Sequence, residues 1–277
     1  MSNNKNILIA GVVRNGVGTI RQELDSLRQA FSGFNSIHYL IIESDSEDDT
    51  VTKLEELRNS LRNFSYKSMG NLSERMKLRT ERIAFCRNVY LKEIETNPVY
   101  QDIDYIAIAD LDGVNNLLSK EAVNTCFERD DWDVCTANQS GNYYDIWALR
   151  HPIWCPNDTW EQYRFLMKYQ GANKTQDRSD LMFASVYSKM ILLPQNSTWI
   201  PVDSSFGGLA IYKRKVLIGE VYVGVNEDGI EICEHVSLNL GIREKGFRIF
   251  INPALINTDF TNHSIGFKPK PKSTLYV

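Results

Sequence analysis

Short apolar runs separated by polar segments with helical spacing recur from the start of the chain. Residues 6–16 (NILIAGVVRNG) are apolar until a turn signal, which predicts a buried strand. Residues 19–31 mix charged and apolar side chains at helical spacing. SIHYLIIESDS, residues 36–46, predicts a second strand. Its acidic end runs into DDTVTKLEELRNSLRN, a helix that Asp48 or Asp49 would cap, because the positive end of a helix dipole favours a carboxylate. FSYKSMG (64–70) is a short third strand. Residues 74–95 predict a helix stopped by Asn97-Pro98, and DYIAIAD (104–110) is a fourth strand.

Strands alternating with helices require right-handed crossovers and a mainly parallel central sheet, with ligands at the carboxyl ends of the strands. Beyond Lys120 the pattern loosens. WDVCTANQSG (132–141) predicts a strand, residues 143–171 are rich in Trp and Tyr, and residues 173–197 are polar with a helical middle, a stretch suited to shaping a pocket. FGGLAIYKRKVL (206–217) and GFRIFINPALIN (246–257) resume strand character, with the helical EHVSLNLGIREKG between them ending on Gly246 as a C-cap. There is no repeat and no linker composition. The expectation is one α/β domain over residues 1–277, with a ligand-binding half (1–118), a second half (119–267) and a basic tail (268–277).

Composition narrows the function. A chain of 277 residues with 43% hydrophobic and 24% charged residues can bury a sizeable core. A formal net charge of −4 argues against a nucleic-acid partner, whose phosphates call for a basic surplus. Five scattered cysteines without a C-x-x-C pair suggest buried thiols in a reducing compartment. The N-terminal apolar run is shorter than a signal-peptide core, so the expected location is cytoplasmic. Lys268, Lys270 and Lys272 would give the tail a weak peripheral contact with anionic lipid.

The chemistry concentrates at strand ends. In an extended chain Asp110 and Asp112 share a face, and a divalent cation bridging them to a phosphorylated ligand would relieve their repulsion; a solvated turn is the plainer alternative. Glu43 opens the acidic run to Thr50, which could accept hydrogen bonds from a nucleotide or simply cap the next helix. In RTERIAFCRNVYL, Arg79 and Arg82 share a helix face while Arg87 is rotated away; each could offset pyrophosphate charge or sit on a charged outer face. Gly207 and Gly208 suit a place where backbone approaches a ligand, or a tight turn. Trp147 is a sugar platform or core filling.

The order of these motifs resembles that of the GT-A-fold glycosyltransferases, which use nucleotide-sugar donors. The first strand, IAGVVRN, corresponds to the one ending near the nucleotide base, with Val13 and Arg14 at its tip. ESDSEDDT at 43–50 is similar to their D-N-x-S-x-D-x-T element, with Glu and Ser at the first two positions. Arg87-Asn88 matches a helical Arg-Asn pair, Asp110-Leu111-Asp112 the D-x-D, and FGGLAIYKR the acceptor segment that begins at Phe206. CEHVSLNLGIREKGFRIFINP resembles their E-D-x-x-L element, departing from it with His235 in place of Asp. The tail of this pattern is similar to the fungal capsule-associated mannosyltransferase family.

The resemblance implies an enzyme moving a hexose from a UDP- or GDP-linked donor to a saccharide or lipid-linked saccharide acceptor, in surface or capsular polysaccharide synthesis. It implies Mn²⁺ or Mg²⁺ held by Asp112, with Asp110 supporting the ion or binding ribose, and His263 as third ligand with His235 competing. Val13, Arg14, Glu43, Arg82, Arg87, Asp110 and Leu111 would line the donor site, and Trp147, Phe206, Gly207 and Gly208 the acceptor site. Glu234 falls where an inverting member keeps its general base; in a retaining one it would orient the acceptor. A nucleotidyltransferase and a non-catalytic saccharide-binding module are the alternatives. The first usually needs a Gly-rich loop with a following lysine, which AGVVRNGVGTI lacks.

Overall fold

A computed structural model describes residues 4–170 and 175–268. Its strands are β1 (Asn6–Val13), β2 (Ser36–Glu43), β3 (Phe64–Ser68), β4 (Tyr105–Ala109), β5 (Val134–Gln139), β6 (Ile200–Val202), β7 (Leu209–Lys213) and β8 (Ile249–Thr258). The helices are α1 (Ile20–Ala30), α2 (Thr50–Ser60), α3 (Arg79–Thr96), α4 (Lys120–Thr125), α5 (Thr159–Gln170), α6 (Thr175–Ser185) and α7 (Glu234–Glu244).

The strands form one sheet in the order β3-β2-β1-β4-β7-β5-β8-β6. β1 to β4 run parallel, as do β5 and β8, while β7 is antiparallel to both β4 and β5. Both faces are covered, and the alternation of side chains shows how. Leu8, Ala10, Leu40, Ile42, Ile106 and Ile108 join the core beneath α3 and α7. Ile7, Ile9, Tyr39, Ile41, Ala107 and Ala109 face the other way, under α1, α2 and α4. Strands buried on both sides need apolar residues at every position, which is why these segments read as continuous runs. β6 is a three-residue edge strand carrying Pro201, a residue that central strands exclude.

The observed elements depart from the expected ones at identifiable places. α3 starts at Arg79 rather than residue 74, because residues 72–74 form a separate 3₁₀ turn. The carboxylate of Glu231 accepts the backbone N–H of Thr80 at 3.1 Å and its hydroxyl at 3.2 Å, and Gly224 packs against the Thr80 carbonyl. A tertiary contact thus fixes the start. The aromatic stretch contains α5, and α4 and β6 are too short to impose a period of their own. Among the described residues no helix is long and apolar enough to cross a membrane. All five cysteines are buried and free. Lys268 ends a short 3₁₀ turn, whereas Lys270 and Lys272 of the expected basic tail lie outside the described residues.

Candidate active site

The carboxyl ends of β1, β2 and β4 and the start of β7 meet at one edge of the sheet. At the β1–β3 end lies a cavity of about 280 Å³ lined by Arg14, Glu43, Asp45, Ser46, Gly70 and Ser73, among others. Glu43 is 2% exposed; it accepts the Ser46 N–H at 3.0 Å and also the Ser68 hydroxyl. Asp45 turns the chain with φ of 59°, and its backbone carbonyl accepts Arg14 Nε at 3.0 Å. Burial works against ionisation of Asp45, but the Ser73 N–H at 2.7 Å and other donors outweigh it and hold its carboxyl below the usual range. Val13, expected at the donor site, is instead buried in the core and does not line this cavity. Asp48 accepts the N–H of Thr50 at 3.0 Å and of Val17 at 3.3 Å, which ties α2 to the loop after β1.

The three arginines of α3 have separate fates. Arg79 is exposed. Arg82 donates to the carbonyls of Met76 and Lys77 at 2.8 and 3.0 Å and lies 3.7 Å from Asp45, so it braces the loop ahead of α3. Arg87 is 3% exposed and joins two acids: Nε donates to Glu234 Oε1 at 3.0 Å and Nη2 to Asp110 Oδ1 at 3.1 Å. Nη1 meets the Tyr90 hydroxyl at 3.2 Å, and the guanidinium lies over the rings of Phe206 and Tyr222. Asn88 exchanges two 2.8 Å hydrogen bonds with the Tyr222 backbone, fixing that wall.

The turn after β4 is held from several sides. The Asp110 N–H donates to the Gly208 carbonyl at 2.9 Å, and Asn115 Nδ2 donates to the Asp110 carbonyl at 2.8 Å. Glu23, a buried acid on α1, accepts the Asn115 N–H at 3.1 Å. Leu111 points into the core, where a Cβ on Gly11 would meet it at 2.7 Å, so only its backbone faces the site. Asp112 is exposed and makes no hydrogen bond or ion pair among the described residues. Burial pushes the Asp110 carboxyl up to about 7; Arg87 opposes the shift, and Asp112, Asp145 and Glu234 add to it.

That shift has a sign in stability. Because the folded-state value is raised, the folded chain keeps a proton that the unfolded chain has shed between about pH 4 and pH 7, so this group makes stability fall as pH rises through that window. Asp110→Asn removes the slope. In EDTA, urea midpoints should show the variant gaining on the wild type from pH 4.5 to pH 7.5, and a constant difference would contradict it.

The other wall comes from β7 and the segment after β5. Gly207 and Gly208 have φ of 71° and 83°, and a Cβ would lie 2.8 Å from the Ala137 carbonyl at Gly207 or from the Tyr144 hydroxyl at Gly208. Both positions therefore require glycine. Asn257 Nδ2 and Gln139 Nε2 donate to the Gly207 carbonyl at 2.8 and 3.1 Å, while the Gly207 N–H donates to Asp145 Oδ2 at 2.9 Å. Phe206 is buried with the His235 ring stacked on it at 3.7 Å. His235 is held neutral by burial with Arg87 nearby, and neither ring nitrogen has a hydrogen-bond partner among the described residues. His263 is exposed and stacks on Tyr144. Trp147 is half-buried and donates its indole N–H to Asp158 at 3.2 Å.

The fold thus gathers Asp110, Asp112, Glu234, Arg87, Phe206, Gly207 and Gly208 at one place, with Arg14 and Glu43 at the neighbouring cavity. Sequence reasoning missed Asp145, Glu23, Asn115 and Asn257. A single loop aspartate or a buried asparagine carries no periodic signal, and only the tertiary contacts single them out. Among the described residues, no group of three His, Cys, Asp or Glu side chains is arranged to hold a metal ion. The donor set still fits a hard cation: Asp112 is unpartnered, and Mg²⁺-type ions commonly take one or two carboxylates and complete their shell with phosphate oxygens and water.

No protein-family model matches the chain, and no curated protein matches it in sequence. Solved structures do. A mannosyltransferase from Pyrobaculum calidifontis, in complex with GDP-Man and Mn²⁺, superposes with a TM-score of 0.52 at 12% identity over 93% of this chain and 57% of that one. TarS of S. aureus, residues 1–349 in complex with UDP-GlcNAc, gives 0.49 at 14% identity over 96% and 62%. The chain spans little more than half the length of the first of these. At such identities the likeness is one of fold, and it rests on the first: the chain has a GT-A-like α/β fold.

Proposed function

We propose that the chain is a metal-assisted glycosyltransferase that moves a hexose from a nucleoside diphosphate sugar to a saccharide or lipid-linked saccharide hydroxyl. The observation that carries this reading is the carboxylate of Asp112, without a hydrogen-bond or ion-pair partner among the described residues, on the same sheet edge as the cavity lined by Arg14 and Glu43. A nucleotide base and ribose would occupy the cavity, with Arg14 and Ser46 offering donors and Asp45 an acceptor. Asp112, with Asp110 in support, would hold Mn²⁺ or Mg²⁺, which would neutralise the departing diphosphate. Arg87 has its N–H groups committed to Glu234, Tyr90 and Asp110, so it orients the acids rather than gripping phosphate. Gly207 and Gly208 keep the acceptor side open to a close backbone approach, above the buried Phe206. Residues 1–118 supply the donor side and residues 119–267 the acceptor side. Assembly of a surface or capsular glycan suits an activity of this kind. The GDP-Man and Mn²⁺ in the Pyrobaculum complex support the donor class and the cation.

A thermal-shift screen of UDP, GDP, CDP and CMP, each with Mn²⁺ and with EDTA, tests the reading, since a ligand that binds the native state alone raises its stability. A shift for one nucleoside diphosphate that disappears in EDTA is expected. Absence of a shift with all four overturns the donor site and favours a non-catalytic saccharide-binding module.

A further inference from the structure

The glycosyl-transfer reading leaves one role unfilled, the group that accepts the proton of the attacking hydroxyl. Glu234 sits at the sequence position expected for it, but the structure commits that carboxylate elsewhere. Its side chain is 9% exposed, and Oε1 accepts Arg87 Nε at 3.0 Å. It is also the first residue of α7, so its backbone is fixed by that helix. A carboxylate committed to a buried guanidinium has little surface to offer an acceptor. His235 does not replace it: its Nε2 faces Glu234 Oε1 at 3.8 Å, beyond hydrogen-bond reach, and the ring is 3% exposed against Phe206. Asp110 is bound by Arg87, and Asp112 lies on the donor side.

Asp145 is differently placed. It is half-buried and has no lysine or arginine partner among the described residues. Its position is well fixed, because Tyr143 and Ile146 on either side of it in the chain are buried and Oδ2 accepts the Gly207 N–H at 2.9 Å. That N–H belongs to a glycine turn whose carbonyl is held by Asn257 and Gln139, and Asn257 in turn donates to Asn115 beneath the D-x-D. A continuous hydrogen-bonded frame therefore ties Asp145 to the donor side. The groups whose charge or proton it feels are Asp110, Glu234, His263, Tyr143, Tyr144 and Cys233. Burial raises its proton affinity, two backbone N–H groups oppose that, Glu234 adds to it and His263 lowers it.

We propose that Asp145 orients the acceptor hydroxyl and takes its proton, with Glu234 serving as the fixed counter-charge of Arg87. This rests on the glycosyl-transfer reading. In the step, the acceptor O–H bond breaks and its proton passes to the Asp145 carboxylate. The oxygen's electron pair forms the bond to the anomeric carbon, and the bond from that carbon to the phosphate oxygen breaks, its pair leaving on the nucleoside diphosphate.

The test uses the full chain and its Asp145→Asn and Asp145→Glu variants. Release of nucleoside diphosphate is followed from UDP-glucose, UDP-N-acetylglucosamine and GDP-mannose with Mn²⁺, with methyl mannoside and methyl glucoside as acceptors. Asparagine can still accept the Gly207 N–H, so the fold should persist. Asp145→Asn is expected to lower kcat by about 100- to 10,000-fold with donor KM and the Mn²⁺-dependent thermal shift unchanged. The acid limb of the pH–rate profile should vanish in it, and Asp145→Glu should recover part of the rate. A rate within about threefold of wild type, or an unaltered pH profile, overturns the proposal while leaving transfer intact. Loss of the thermal shift in Asp145→Asn also overturns it, by placing Asp145 in the donor site. No release by the wild type from any donor sinks the transfer reading itself and this role with it.

Discussion

Asp112→Ala is expected to abolish sugar transfer, by at least about 1,000-fold, while leaving the melting temperature within about 2 °C of wild type. The physical ground is the isolation of the side chain. Asp112 is exposed and takes part in no hydrogen bond or ion pair among the described residues, so its removal breaks no contact in the folded chain. It even relieves repulsion, because Asp112 raises the proton affinity of both Asp110 and Glu23. A carboxylate that makes no contact in the fold but sits beside a second acid is suited to ligand chemistry, which the proposed function assigns to a cation with diphosphate. Activity assays with Mn²⁺ and a thermal melt decide the point together. Full activity in the variant would remove Asp112 from the cation site, and loss of fold would show a structural role that the contacts do not reveal.

Arg87→Met is expected to do the reverse and strike stability first. The guanidinium is 3% exposed and is the counter-charge of both Glu234 and Asp110. Removing one member of a buried ionic group leaves the others uncompensated, at a cost of about 3–5 kcal/mol. For a chain of this size that lowers the melting temperature by on the order of 10 °C. Methionine keeps most of the volume against Phe206 and Tyr222, so the loss reads out charge more than packing. The double variant Arg87→Met/Glu234→Gln should recover part of the loss, because it removes one stranded charge. Equal melting temperatures for Arg87→Met and wild type would show that the three charges are more solvated than their contacts indicate, and no recovery in the double variant would shift the cost to packing.

These two substitutions separate parts of the site that look alike along the chain. Asp110 and Asp112 are the same residue type two positions apart, yet the first is gripped by Arg87 and the Gly208 carbonyl and the second by nothing among the described residues. Arg82 and Arg87 lie on one helix, yet the first braces a loop and the second joins the two acids. Glu234 and Asp145 are both acids on the proposed acceptor side, and the proposal that Asp145 receives the proton depends wholly on which of them Arg87 engages.

The strand and helix sequence was largely legible, because it depends on local period. β1 to β5 and β7 fall within the runs that predicted them, β8 overruns its own by one residue at Thr258, and α1, α2 and α7 follow the helical spacing. The gathering of the acids at one sheet edge was legible too, since acids at the ends of buried strands have nowhere to go but the carboxyl edge. Local pattern also marked Gly207 and Gly208, where backbone conformation leaves no choice of residue. The tertiary structure alone decided which charges meet. It set β7 antiparallel between β4 and β5, brought Arg87 from α3 between Asp110 and Glu234, and seated Asp145 on the Gly207 N–H. Periodicity reports which face of an element is buried; pairings between residues 23, 62 or 147 positions apart depend on where the elements pack, and no local signal encodes that.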